Sequence, residues 1–301
     1  MNSSENKAND FLAEGDRLFK QQEYDEALEN YTNALSHSKL EFNLPVEVES
    51  LSQMARISLR ENDLDSAIDW LDKAQEKTTV SEPMGYSRFL GVKGRYFWKS
   101  EQMDEARMIF TEMYQYCLEK ELTGRAIDAA HMVAIVSESL EEQIKWSQLG
   151  IETAENNDAE FWLGPLWNNL AGTYYEMDKF DLALDCYLKA REYHWRFSGE
   201  MGKLFADYHV GMTYRHLKDY KKAAQWLRPV LAWAERLGNH SAIGQACEDL
   251  AEIELAINNK SEGLKLLNQA KQQYQAAGFD SSWKEVWDNV ILRIKQVKES
   301  N

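Results

Sequence analysis

The feature that most constrains this chain is a spacing that it restates. In residues 166–190, LWNNLAGTYYEMDKFDLALDCYLKA, Leu170 and Ala171 stand just before Tyr174, Phe180 follows a polar turn, and Ala183, Tyr187 and Ala190 recur at helical intervals. Val210, Gly211, Tyr214, Tyr220, Ala223, Leu227 and Val230 hold the same places further on. Gly15, Leu18, Tyr24, Ala27, Tyr31 and Ala34 hold them near the start. Apolar positions three and four apart on both sides of a polar turn describe two amphipathic helices in a hairpin. A hairpin repeated along a chain describes a solenoid, in which each unit buries its apolar face by stacking on its neighbours.

Weaker copies fill most of the remainder. Ala55, Leu64, Ala67, Leu71 and Ala74 make a second unit, Gly94, Phe97, Met103, Ala106 and Phe110 a third, and Ala251, Gly263, Leu267 and Ala270 a seventh. Residues 122–157 fit loosely and read as a degenerate fourth unit whose turn is shortened around Ser137 to Leu140. The expected layout is a disordered N-terminus over 1–7, seven hairpins over 8–277, and a capping helix over 281–299. In that last segment Trp283, Val286, Trp287, Val290, Ile291, Ile294 and Val297 form one apolar stripe, and Ser282 with Glu285 suggests a capping box. The stripe suits either a cover for the last hairpin or a homodimer surface. Pro229 falls inside a helix that it should kink, and Gly238 with Asn239 or Ser241 marks a helix end and a new start.

Charge narrows the function. The 301 residues carry 50 acidic against 34 basic side chains, a net −16, which opposes binding to nucleic-acid phosphates. No leader-like or membrane-spanning run is present in the sequence, so the expectation is a cytoplasmic protein that inserts in no membrane. Cys117, Cys186 and Cys247 form no CxxC or Cys/His cluster, and the histidines show no HExxH spacing; His209 and His216 read as a solvated pair. No nucleophile stands beside a recognisable base. The expectation is a protein without cofactor, metal or enzymatic activity.

The stretch WNNLAGTYYEMDKFDLALDCYLKA resembles the tetratricopeptide repeat family at Trp167, Leu170, Ala171, Tyr174, Phe180, Ala183, Tyr187 and Ala190. The repeats step by roughly 40 residues where the common form has about 34, which is similar to the long-repeat variety of peptide-sensing bacterial regulators and spindle or kinesin adaptors. The resemblance implies an all-α fold, a right-handed α-α superhelix closed by a C-terminal capping helix. It also implies a scaffold or adaptor that holds an extended peptide or partner protein in its concave groove. The alternative is a peptide-sensing regulator whose superhelix changes on binding. Such regulators usually place a further module before their repeats, and repeats that begin by about Ala8 favour the adaptor.

The first helix of each hairpin should line that groove. Its inward residues in the second and third units are Glu49, Ser52, Gln53, Arg56 and Arg60, then Arg88, Val92, Arg95, Trp98 and Lys99. Units five and six supply Asn168, Asn169, Tyr175 and Glu176, then Phe205, Tyr208, His209, Met212, Arg215 and His216. Unit seven turns acidic with Gln245, Glu248, Asp249 and Glu252. A basic cluster in an acidic chain suits an acidic or phosphorylated peptide segment, and Asn168 and Asn169 suit a peptide backbone. The same arginines could equally be surface charges paired with neighbouring carboxylates.

Overall fold

A computed structural model describes residues 7–299, and the segment 1–6 of the expected disordered N-terminus lies outside them. Lys7 is already helical. Helices pair in chain order: α1 (Lys7–Gln21) with α2 (Tyr24–Glu41), α3 (Leu44–Arg60) with α4 (Leu64–Lys77), α5 (Pro83–Lys99) with α6 (Met103–Glu119), and α7 (Thr123–Val136) with α8 (Leu140–Glu155). A 3-10 turn at Glu160–Trp162 leads into α9 (Leu163–Glu176) with α10 (Phe180–Phe197), α11 (Glu200–His216) with α12 (Tyr220–Leu237), and α13 (His240–Ala256) with α14 (Lys260–Ala276). A short α15 (Phe279–Ser282) and α16 (Lys284–Glu299) end the chain. No strand occurs among the described residues. The chain divides into two compact units, Met1–Ala159 and Glu160–Asn301, each an all-α stack of hairpins of the solenoid class.

The recurring positions have one physical basis. At a constant offset along the chain, a small residue on the first helix meets a large one on the second: Gly15 faces Tyr31, Gly94 faces Phe110 and Gly211 faces Leu227. A Cβ added at Gly94 would lie 2.5 Å from the Phe110 ring. The small residue is therefore what lets the paired helices approach. Ala27, Ala67, Ala106, Ala183 and Ala223 are fully buried at the matching place on the second helices.

Turns carry a second regularity. Six hairpin turns contain a residue in the left-handed region, Gln22, Asn62, Glu101, Asp178, Lys218 and Asn258, after which the chain re-enters a helix. The turn between α7 and α8 has none; Ser137 is extended (φ −77°, ψ 132°) and Ser139 caps α8 by accepting from the Glu142 amide. The fourth hairpin thus departs in turn conformation, and the expected shortening is not observed, because its helices are separated by three residues like those of most others.

Gly238 (φ +64°) ends α12, and Asn239 rather than Ser241 caps α13 by accepting from the Ala242 amide. The helix α12 runs through Pro229 without interruption. The capping box expected at Ser282 and Glu285 does not form: the Ser282 hydroxyl donates back to the Gly278 carbonyl, and α15 ends there. Helix α16 covers α14, burying Val290 and Ile294 while leaving Leu292 52% exposed, and Trp283 just before it is 63% exposed.

Candidate functional site

In the first unit, the inner residues of α1, α3, α5 and α7 converge on an ionic network rather than lining open surface. Glu49 and Gln53 are 5% and 1% exposed, which corrects the expectation of groove-lining side chains on α3. Arg88 on α5 donates to Asp16 on α1 (3.2 Å) and to Glu49 on α3 (3.2 Å), and Arg125 on α7 donates to the same Glu49 oxygen (2.8 Å). The Tyr31 hydroxyl (2.9 Å) and the Gln53 amide donate to Asp16. Arg95 grips both Asp128 oxygens, at 2.8 and 2.9 Å. Burial drives the Arg88 pKa down, and Glu49 with Asp16 more than offsets this, so the guanidinium is held charged. Burial raises the Asp128 carboxyl, and Arg95, with Arg56 behind it, brings it below its ordinary range.

Arg56 differs from its neighbours. Its guanidinium lies 4.4 Å from the Phe19 ring centroid and makes no hydrogen bond or ion pair among the described residues. Burial, with Arg95 and Arg88 close by, lowers its pKa to about 10. Arg60 and Lys99 stay outside the network: Arg60 is exposed over Tyr24 (5.1 Å), and exposed Lys99 donates to Asn62 (3.1 Å). Trp98 packs on the core of this unit. Sequence reasoning missed Asp16, Arg125 and Asp128. Asp16 had a signal, since it follows the small residue Gly15 as Arg56 follows Ala55 and Arg95 follows Gly94.

The second unit gathers the other expected residues in two groups. Asn168 and His209 share a hydrogen bond (3.0 Å), and the His209 ring stacks on Tyr187 at 5.0 Å. Burial lowers the His209 pKa to about 4, so the imidazole is neutral. His216 sits between Tyr175 (4.8 Å) and Phe180 (4.9 Å). The two histidines are therefore packed among rings, which corrects the solvated pair. Asn169 and Met212 are half-buried, and the Asn169 side chain makes no hydrogen bond among the described residues.

The acidic face of α13 closes the second group. Arg215 bonds Glu252 and approaches Asp249 at 2.7 Å, Arg293 of α16 reaches Glu248 (3.3 Å) and Glu252 (2.5 Å), and Tyr274 donates to Glu248 (2.8 Å). The Arg215–Asp249 contact is close but off-axis, so Arg215 Nε and Asp249 Oδ2 have no hydrogen-bond partner among the described residues, and nor does Gln245 Oε1. Burial raises the Asp249 carboxyl to about 6, more than Arg215 and the Tyr208 hydroxyl lower it. Tyr208 itself is pushed well above its ordinary value by burial and by Asp249. Among the described residues no group of His, Cys, Asp or Glu is placed to hold a metal, and no helix is long and apolar enough to cross a membrane.

Models of the tetratricopeptide repeat match residues 12–81 and 164–192. No curated protein matches the chain in sequence. Three solved structures show the same fold. One is a signal-transduction ATPase of the STAND class with a tetratricopeptide repeat sensor, from Pyrococcus horikoshii (TM-score 0.76, 14% identity, 93% of this chain and 44% of that one). A second is the apo form of RapI (0.74, 16%, 89% and 77%). A third is NprR in complex with its cognate peptide NprX (0.61, 13%, 100% and 86%). The chain spans less than half the length of the STAND protein.

Proposed function

Because the chain is a tetratricopeptide-repeat protein, we propose that it is a non-enzymatic, cytoplasmic interaction scaffold of the roughly 40-residue repeat kind. It holds an extended peptide or partner segment against the first-helix faces of its hairpins. One observation carries the reading: those faces bury polar atoms with no hydrogen-bond partner among the described residues, Gln53 Oε1 in the first unit and Gln245 Oε1 and Asp249 Oδ2 in the second, where a purely structural face would be apolar. The complex of NprR with a peptide is in line with it at the level of fold. An acidic partner segment suits Arg56 and its neighbours, whereas a net charge of −16 disfavours nucleic acid.

Panning a random peptide library on the protein tests the scaffold. Binders should appear, and Asn169→Ala with Met212→Ala, which disturbs no hydrogen bond within the fold, should weaken those that contact the second unit about tenfold. Unchanged affinity for every binder, in this variant and in Arg56→Met, would remove the first-helix faces as the site. The alternative, a peptide-sensing regulator, draws support from the Asp16–Arg88–Glu49–Arg125 network, which ties the first helices of four hairpins together and so would feel a ligand at any of them. A homodimer through 281–299 rests on exposed Trp283, Ile291 and Leu292, and light scattering that gives the monomer mass at micromolar concentration would sink it.

A further inference from the structure

We propose that the outer ridge of α16 pairs antiparallel with the same ridge of a second copy of this chain, about a two-fold axis between Ile291 and Leu292. The inference deepens the homodimer reading of residues 281–299 and rests on it. Lys284, Asp288, Ile291, Leu292, Lys295 and Glu299 make up the ridge: they recur three and four apart, and all six are exposed. The opposite side of the helix, through Val290 and Ile294, is buried against α14, and Arg293 ties it to Glu248 and Glu252 of α13. The helix is thus held in one orientation and presents the ridge outward.

Charge order selects the partner and its direction. Along the ridge the side chains run positive, negative, an apolar pair, positive, negative. An antiparallel copy centred between Ile291 and Leu292 sets Lys284 opposite Glu299 and Asp288 opposite Lys295, each of them twice, and sets Ile291 against Leu292 at the axis. A parallel copy in register would set every charge against itself. Sliding the antiparallel copy by one helical turn brings Lys284 opposite Lys295 in one direction and Asp288 opposite Glu299 in the other. The same six side chains therefore favour one register and disfavour its neighbours.

The contacts that the ridge makes within one chain compete little with this pairing. Lys284 reaches Asp288 at 3.7 Å and Lys295 reaches Glu299 at 3.9 Å, and all four side chains are more than half exposed, so these pairs contribute little to the fold. A facing copy adds a second opposite charge to each of them and removes water from Ile291 and Leu292, which are 39% and 52% exposed. One helix ridge per chain is a small interface, so the dimer is reversible and sensitive to salt.

Sedimentation velocity on the full chain at micromolar concentration tests the pairing, with circular dichroism to confirm that each variant keeps its helix content. The wild type should sediment as a monomer–dimer equilibrium. Asp288→Lys and Lys295→Asp each place two like-charged pairs across the axis and should weaken the dimer about tenfold. Asp288→Lys combined with Lys295→Asp in one chain restores opposite charges and should recover the wild-type constant to within about threefold, whereas damage confined to the helix itself would add up. Leu292→Glu should abolish the dimer.

The outcomes separate the pairing from the homodimer reading beneath it. A dimer that Leu292→Glu removes but the single reversals leave unchanged, as a parallel pair requires, would uphold the homodimer and overturn the antiparallel pairing. A loss in the single variants that the combined variant does not rescue would overturn the pairing as well. A dimer that survives Leu292→Glu lies elsewhere on the chain, and that result, like a wild type that stays monomeric, sinks both.

Discussion

At the scale of single residues, the fold depends on where a Cβ is absent. Gly94 and Gly172 both lie in first helices, yet a Cβ at Gly94 would collide with Phe110 at 2.5 Å, while at Gly172 its nearest neighbour would be the Tyr187 hydroxyl at 3.9 Å. Gly94→Ala should therefore destabilise by about 1–3 kcal/mol through overpacking, and Gly172→Ala should stabilise by about 0.5–1 kcal/mol through helix propensity. Denaturant midpoints of the two variants check both signs. Protonation gives a second expectation. His209 is neutral in the fold with a pKa near 4, so the unfolded chain takes up its proton first as the solution is acidified. Its contribution to stability is complete above the ordinary histidine value of 6.5 and drains away as pH falls to about 4, by at most about 3 kcal/mol. The raised Asp249 carboxyl acts in the opposite sense, favouring the fold when protonated and disfavouring it as pH rises from its ordinary value through about 6. Comparing wild type with His209→Gln between pH 4 and 7 isolates the histidine limb; parallel curves would contradict it.

At the scale of elements, the hairpins were legible because the offset between the small residue of one helix and the large residue of the next is fixed by close packing. That rule survives sequence change, as Gly15 with Tyr31 and Gly211 with Leu227 show. The capping box was not legible, because Ser282 belongs to the end of a short helix and not to the start of α16. Helical period alone puts Arg56, Arg88 and Arg95 on the first-helix faces, and the structure brings the three around one small cavity. Their burial was not readable, because it depends on the approach of Asp16 from α1 and Asp128 from α7, and α7 lies in the hairpin whose turn breaks the common pattern. The turns offer a test of their own. Glu101 and Asn62 occupy the same left-handed place, φ 61° and 66°, but asparagine adopts that region at a lower cost than glutamate. Glu101→Gly should stabilise by about 1 kcal/mol and Asn62→Gly by much less, measured as the shift in midpoint of thermal unfolding.

At the scale of the whole molecule, two compact units divide between Ala159 and Glu160, and each contains its own ionic cluster and its own buried core. Repeat arrays gain stability mainly from neighbouring hairpins, so a fragment of residues 1–159 should retain helical circular dichroism and a cooperative transition; a fragment without one would show that the unit needs the rest of the chain. The central claim is that first-helix faces, not second helices or α16, hold the ligand. Hydrogen–deuterium exchange with and without a saturating library-selected peptide tests it most directly. Protection concentrated in α3, α5 and α7 or in α9, α11 and α13 is the expected result, and protection confined to second helices or to α16 would contradict it.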